Sequence, residues 1–200
     1  MKKNIILLIT VISCITLINI TIKDDYSSTK KEHNKSVNLR STDYLNVDFN
    51  KLLEVNKDIV GFIIIKDTDI NYPILKSNNN EHYINHDFKG NINKTGSIFQ
   101  DFNNETLKDK EITLYGNNLR KGMFADVRKI YNQELGNDVY IKIITKKEVL
   151  TFKVFDVLKN NISKEIDFEI DVTKNDQILN LKTIGGTFEY SLKAIKIGEE

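Results

Sequence analysis

Few side chains in this chain are equipped to do chemistry. It holds three histidines and a single cysteine in 200 residues. Cys14 lies inside an apolar run near the N-terminus, so an intrachain disulfide or a thiolate metal cluster cannot form. His33 sits in a polar stretch and reads as a solvated linker residue. His82 and His86 are four apart, a spacing that can hold zinc on a helix, but no third ligand accompanies them. Packing and hydrogen bonding are their expected roles. Lys182 could act as a nucleophile if burial lowered its pKa, although a solvated strand lysine is the simpler reading. Thr183 and Ser191 carry hydroxyls, with no histidine base expected beside them. Gly185-Gly186 reads as a turn between strands, not a phosphate loop. No metal and no cofactor are expected.

The elements that must position these residues are short and mostly extended. Asp48 to about Asp58 reads as a helix capped by Asp48. Val60–Ile65 is a dense β-branched run, and Ile70–Leu75 a second strand in which Pro73 argues for an edge or an end. Ser97–Asp101 and Ile112–Tyr115 follow. Met123, Val127, Ile130 and Tyr131 have helical spacing. Val139–Thr145 and Val149–Leu158 make a hairpin through Lys146-Lys147-Glu148, and Ile178–Ile184 pairs with Phe188–Ile197 through the two glycines. The fold class is therefore mostly β, a barrel or sandwich with peripheral short helices.

Before this region, Asn4–Ile22 is an uncharged run preceded by Lys2 and Lys3 and closed by Lys23, Asp24 and Asp25. At helical rise it spans roughly 28 Å, enough to cross a bilayer. The expected organisation is an N-terminal signal anchor over residues 1–22, a polar stalk over 23–46 and a folded domain over 47–200. The lysines at the short end favour a single-pass protein of the cell membrane with its C-terminal domain extracytoplasmic. Setting aside Lys2, Lys3 and Lys23 leaves 26 basic residues against 28 acidic. Such a balance offers no basic stripe, so a nucleic-acid partner is not expected.

Several segments, in order, resemble class B sortases, the cysteine transpeptidases that attach proteins to the Gram-positive cell wall. Leu52–Ile63 (LLEVNKDIVGFI), Ile70–Ile74 (INYPI), Glu81–Asn91 (EHYINHDFKGN), Gly96–Asp101 (GSIFQD) and Tyr115-Gly116-Asn117-Asn118 followed by Met123-Phe124 are each similar to a family segment. The resemblance covers roughly residues 47 to 197. It implies an eight-stranded β-barrel, and with it a groove to which Tyr115, Lys182 and Thr183 are assigned as candidates.

The same resemblance implies three catalytic groups, and none of them is present. A cysteine thiolate should attack the sorting-signal carbonyl, a histidine should move protons, and an arginine should hydrogen-bond the developing oxyanion. The histidine position holds Asn117, which cannot titrate near neutral pH. The cysteine closing the family's Thr-Leu-x-Thr-Cys pattern is replaced by Ile184, in Asn180-Leu181-Lys182-Thr183-Ile184. The arginine position falls on Tyr190 or Ser191, depending on a one-residue gap. The stretch from Lys159 to Gln177 is also shorter than the family's loop before the cysteine strand. The expectation is a pseudoenzyme that binds a surface protein, a sorting-signal peptide or a sortase partner. The alternative is an active transpeptidase or peptidase with chemistry relocated to Lys182 or a hydroxyl.

Overall fold

The computed structural model describes residues 47–119, 122–136, 138–163 and 172–199. The apolar run, the stalk, Cys14 and His33 lie outside these residues. Among the described residues no helix is long and apolar enough to cross a membrane.

The chain opens with helix α1 (Phe49–Val55), whose first turn is capped by the Asp48 carboxylate accepting from the N–H groups of Asn50 and Lys51 at 3.1 and 3.2 Å. Nine strands follow: β1 (Ile59–Ile65), β2 (Asn71–Leu75), β3 (Ile98–Gln100), β4 (Glu111–Asn117), β5 (Tyr140–Ile144), β6 (Val149–Lys159), β7 (Ile162–Ser163), β8 (Ile178–Ile184) and β9 (Tyr190–Glu199). A short 3-10 turn (His82–Ile84) lies between β2 and β3, and helix α2 (Val127–Tyr131) between β4 and β5.

Eight strands run in the order β5-β1-β2-β3-β4-β8-β9-β6, and β6 pairs back onto β5, closing an eight-stranded barrel. Closure leaves no open edge along these strands. β7 is an appendage on β6, joined through Asn160 and Asn161. Both asparagines have positive φ, 50° and 62°, as a two-residue hairpin of this hand requires. The β2–β3 and β4–β8 pairs are parallel, and every other pair is antiparallel.

The expected barrel with peripheral helices is therefore present. The helical spacing from Met123 resolves into turns, with regular helix only at Val127–Tyr131. Pro73 does not mark an edge, because β2 has neighbours on both sides. The β3 ladder begins only at Ile74, one residue past the proline, which accommodates the missing N–H.

Alternation fixes what each strand buries. On β4, Ile112, Leu114 and Gly116 face inward; on β8, Leu179, Leu181 and Thr183 do so. These meet Ile63, Ile141, Ile143, Phe152, Val154 and Leu192 in one continuous core. Phe124 packs there against Gly116, where a Cβ would lie 2.7 Å from its ring. That close approach gives a physical reason for the glycine in Tyr-Gly-Asn-Asn and for the phenylalanine that follows it. The segments Glu81–Asn91 and Gly96–Asp101 are likewise stapled together: the Ser97 N–H donates to Tyr83 O at 2.9 Å, and its hydroxyl to His86 O at 2.8 Å.

Candidate functional site

The residues singled out at the ends of the β4 and β8 motifs converge. β4 and β8 run parallel in register, pairing Tyr115 with Lys182, Gly116 with Thr183 and Asn117 with Ile184. On the other side of β8, Lys182 pairs with Ser191 of β9. Cross-strand partners share a face, so Tyr115, Lys182 and Ser191 form one row on the outside of the barrel. Asn117 and Ile184 belong to that face too, one alternation further along.

Two of the named residues point the other way. Thr183 is buried at 7% exposure, and its hydroxyl oxygen accepts from the N–H of Tyr190 at 2.7 Å and from Asn118 Nδ2 at 3.3 Å. Tyr190 is also buried and sets its ring edge-on to Tyr131, with centroids 5.7 Å apart. Of the two residues considered for the arginine position, only Ser191 reaches the outer face.

Asn117 is buried at the end of β4, where its Oδ1 accepts from the Leu119 N–H at 2.6 Å and its carbonyl from the Phe124 N–H at 2.8 Å. It holds the exit of β4 in shape. Ile184 is half-buried and aliphatic, and Lys182 is exposed, so the burial a lysine nucleophile needs is missing. Tyr115 donates its hydroxyl to Asp101 Oδ2 at 2.8 Å. Burial, then that bond, pushes the phenol up to about 12. Burial would also raise Asp101, but donors from the Asn103 N–H, Tyr115 and the Asn80 and Asn103 amides outweigh it and hold its carboxyl below the usual range.

The two histidines of the folded region sit on the turn before β3. Their rings stack at 4.3 Å with 10° between planes, and His86 Nδ1 is 2.7 Å from His82 O. Stacked rings do not converge their nitrogens on one point, as zinc would need. Among the described residues no group of three or more His, Cys, Asp or Glu is arranged to hold a metal.

Two residues escaped the sequence reading. Asn118 donates its side-chain amide to Phe188 O at 2.6 Å and its N–H to Ile184 O at 3.2 Å, tying the β4 exit to the β8–β9 turn. Glu189 is the other. Its carbonyl accepts from the Asn160 N–H at 2.8 Å, and its N–H donates to Asn160 Oδ1 at 3.0 Å, tying the start of β9 to the end of β6.

A search of curated proteins finds sortase B of Listeria monocytogenes, 35% identical over 172 residues, covering 82% of this chain and 68% of the relative. The chain belongs to the class B sortase family. Sortase B of Staphylococcus aureus is 30% identical over 153 residues, covering 69% of this chain and 62% of the relative. Among solved structures, sortase B of Bacillus anthracis in complex with AAEK1 superposes with a TM-score of 0.71 at 25% identity, covering 86% of this chain and 98% of that one. The Staphylococcus aureus sortase B–substrate complex gives 0.69 at 26% identity, covering 89% and 98%. No protein-family model matches the chain. This member of the class B sortase family keeps the barrel fold, and its β4–β8 ladder ends on the pair Asn117 and Ile184.

Proposed function

We propose that this protein is a catalytically inactive pseudo-sortase that binds a peptide, a surface protein or a sortase partner along the outer face of β4 and β8. The single observation that carries the reading is the pairing of Asn117 with Ile184 at the strand ends where the family motifs place histidine and cysteine. A saturated side chain has no lone pair with which to attack a carbonyl, and an amide does not shuttle protons near neutral pH. Cys14, the only thiol, is far upstream in the sequence. At the two positions considered for the arginine stand Tyr190 and Ser191, and neither brings a positive charge to an oxyanion.

Relocated chemistry has less support. Lys182 is exposed, the Thr183 hydroxyl is committed to Tyr190 and Asn118, and His86 Nδ1 to its own turn. A peptide ligand is favoured by the outer row of Tyr115, Lys182 and Ser191, and by kinship with a sortase B solved with its substrate. The apolar run Asn4–Ile22 supports placement at the cell membrane, with the barrel outside. The test is to titrate the full-length chain in detergent with labelled sorting-signal peptides and follow anisotropy and peptide mass together. Saturable binding with the peptide intact supports the proposal; cleavage abolished by Lys182→Ala would replace it with the enzymatic alternative.

A further inference from the structure

Lys182 carries an uncompensated charge on a face whose other charges are paired. It is exposed near the middle of β8 and flanked in register by Tyr115 of β4 and Ser191 of β9, with Leu158 of β6 next along the row. Lysine is depleted in strands, so its presence here is not explained by strand formation. Among the described residues Lys182 has no ion-pair partner, while Lys108, Lys129, Lys153, Lys193 and Lys196 each have one.

The acids of this side are already engaged. Lys193, on the next outward pair of the β8–β9 ladder, stands 3.4 Å from Asp156 Oδ2, and Asp156 Oδ1 accepts from the Ser163 hydroxyl at 3.3 Å. Glu111 Oε1 accepts from Asn180 Nδ2 at 2.9 Å. Asp101 accepts from the Tyr115 hydroxyl at 2.8 Å and from the Asn103 N–H at 2.9 Å. A cation left without an internal partner at the centre of a binding face complements an anion brought by the ligand.

The surroundings set where that anion sits. On the β4 side the Tyr115 hydroxyl is committed to Asp101, whose negative charge repels a second acid. On the β9 side the half-buried Ser191 offers a hydroxyl, and directly opposed side chains start about 5 Å apart, within reach of the two oxygens of one carboxylate. Glu189, exposed two residues before Ser191, disfavours a shift of that acid towards the Ile184 end.

We propose that Lys182, assisted by Ser191, is the specificity element of the outer face and selects a peptide carrying an aspartate or glutamate side chain. The inference rests on the peptide-binding reading above and names the class of peptide.

The test uses the full-length chain in detergent and labelled sorting-signal peptides in which each position is made in turn Glu, Gln or Lys. At one position the Glu peptide should bind about 2- to 5-fold tighter than its Gln counterpart, the range of an exposed ion pair, and the Lys peptide weakest. Lys182→Ala should close the Glu–Gln gap and leave the Gln peptide's affinity within about twofold, and Lys182→Glu should reverse the order in favour of Lys. Ser191→Ala should narrow the gap. Lys193→Ala, which removes a cation already paired, should leave it unchanged. In about 1 M salt, where screening acts within about 3 Å, the gap should shrink. Equal affinities for Glu and Gln at every position would overturn the proposal, as would a gap that survives Lys182→Ala or one that Lys193→Ala closes equally well. Peptides that bind without a charge preference overturn this inference alone; peptides that do not bind at all overturn the peptide-binding reading with it.

Discussion

Asn117 of β4 and Ile184 of β8 are the last pair of a parallel ladder that runs unbroken from Glu111 and Ile178. The two positions that the family resemblance assigns to histidine and cysteine are thus held side by side by a complete ladder. Scaffold and side-chain chemistry can therefore be probed separately.

Repair of the pair should be tolerated. Asn117→His removes the cap on the Leu119 N–H, and Ile184→Cys trims a half-buried side chain. The double variant should unfold in one cooperative transition, less stable than the parent by about 1–3 kcal/mol in chemical denaturation. A non-cooperative melt would count against the register described here.

Arginine should be accepted at one neighbour and refused at the other. Ser191→Arg projects from the outer face and should change stability by less than about 1 kcal/mol. Tyr190→Arg forces a guanidinium into the core beside Tyr131 and should cost about 3 kcal/mol or more. Thermal denaturation of the two variants separates them, and equal losses would contradict the assigned faces.

Gly116→Ala tests the reason for the glycine before the Asn pair. The added methyl would meet the Phe124 ring at 2.7 Å, and the overpacking should cost about 1–3 kcal/mol. Phe124→Leu in the same chain should recover part of that loss in a urea titration. An unaffected single variant would mean that the ring yields freely.

Most strands were legible because alternation and β-branched runs are local signals, as in Val60–Ile65 and Val139–Thr145. Barrel closure was legible only through the family resemblance, since the pairing of β5 with both β1 and β6 depends on residues distant in sequence. The positions of Asn117 and Ile184 could be read because both end recognisable motifs. The arginine position could not be fixed between Tyr190 and Ser191, because nothing local states which hairpin residue faces out. Register separates their faces: Ser191 pairs with exposed Lys182, while Tyr190 turns inward. Asn118 was passed over because its partners, Ile184, Phe188 and Thr183, lie more than sixty residues away.

The Tyr115–Asp101 bond should be visible in the pH dependence of stability. The phenol is raised from 10.0 to about 12 in the fold, so its contribution is full below 10 and fades as pH rises towards 12. The carboxyl is lowered from 3.8, so its contribution is present above that value and fades as pH falls below it. Tyr115→Phe should flatten the alkaline decline of the urea midpoint and remove a late component from the tyrosinate absorbance titration. A titration curve unchanged by Tyr115→Phe would contradict this.

An inactive pseudo-sortase carries no acyl group at Ile184. The most direct measurement is the intact mass of the full-length protein after prolonged incubation with sorting-signal peptides and rapid acid quenching. One unshifted mass and undiminished peptide are expected. A mass increase matching an acyl fragment of the peptide would contradict inactivity.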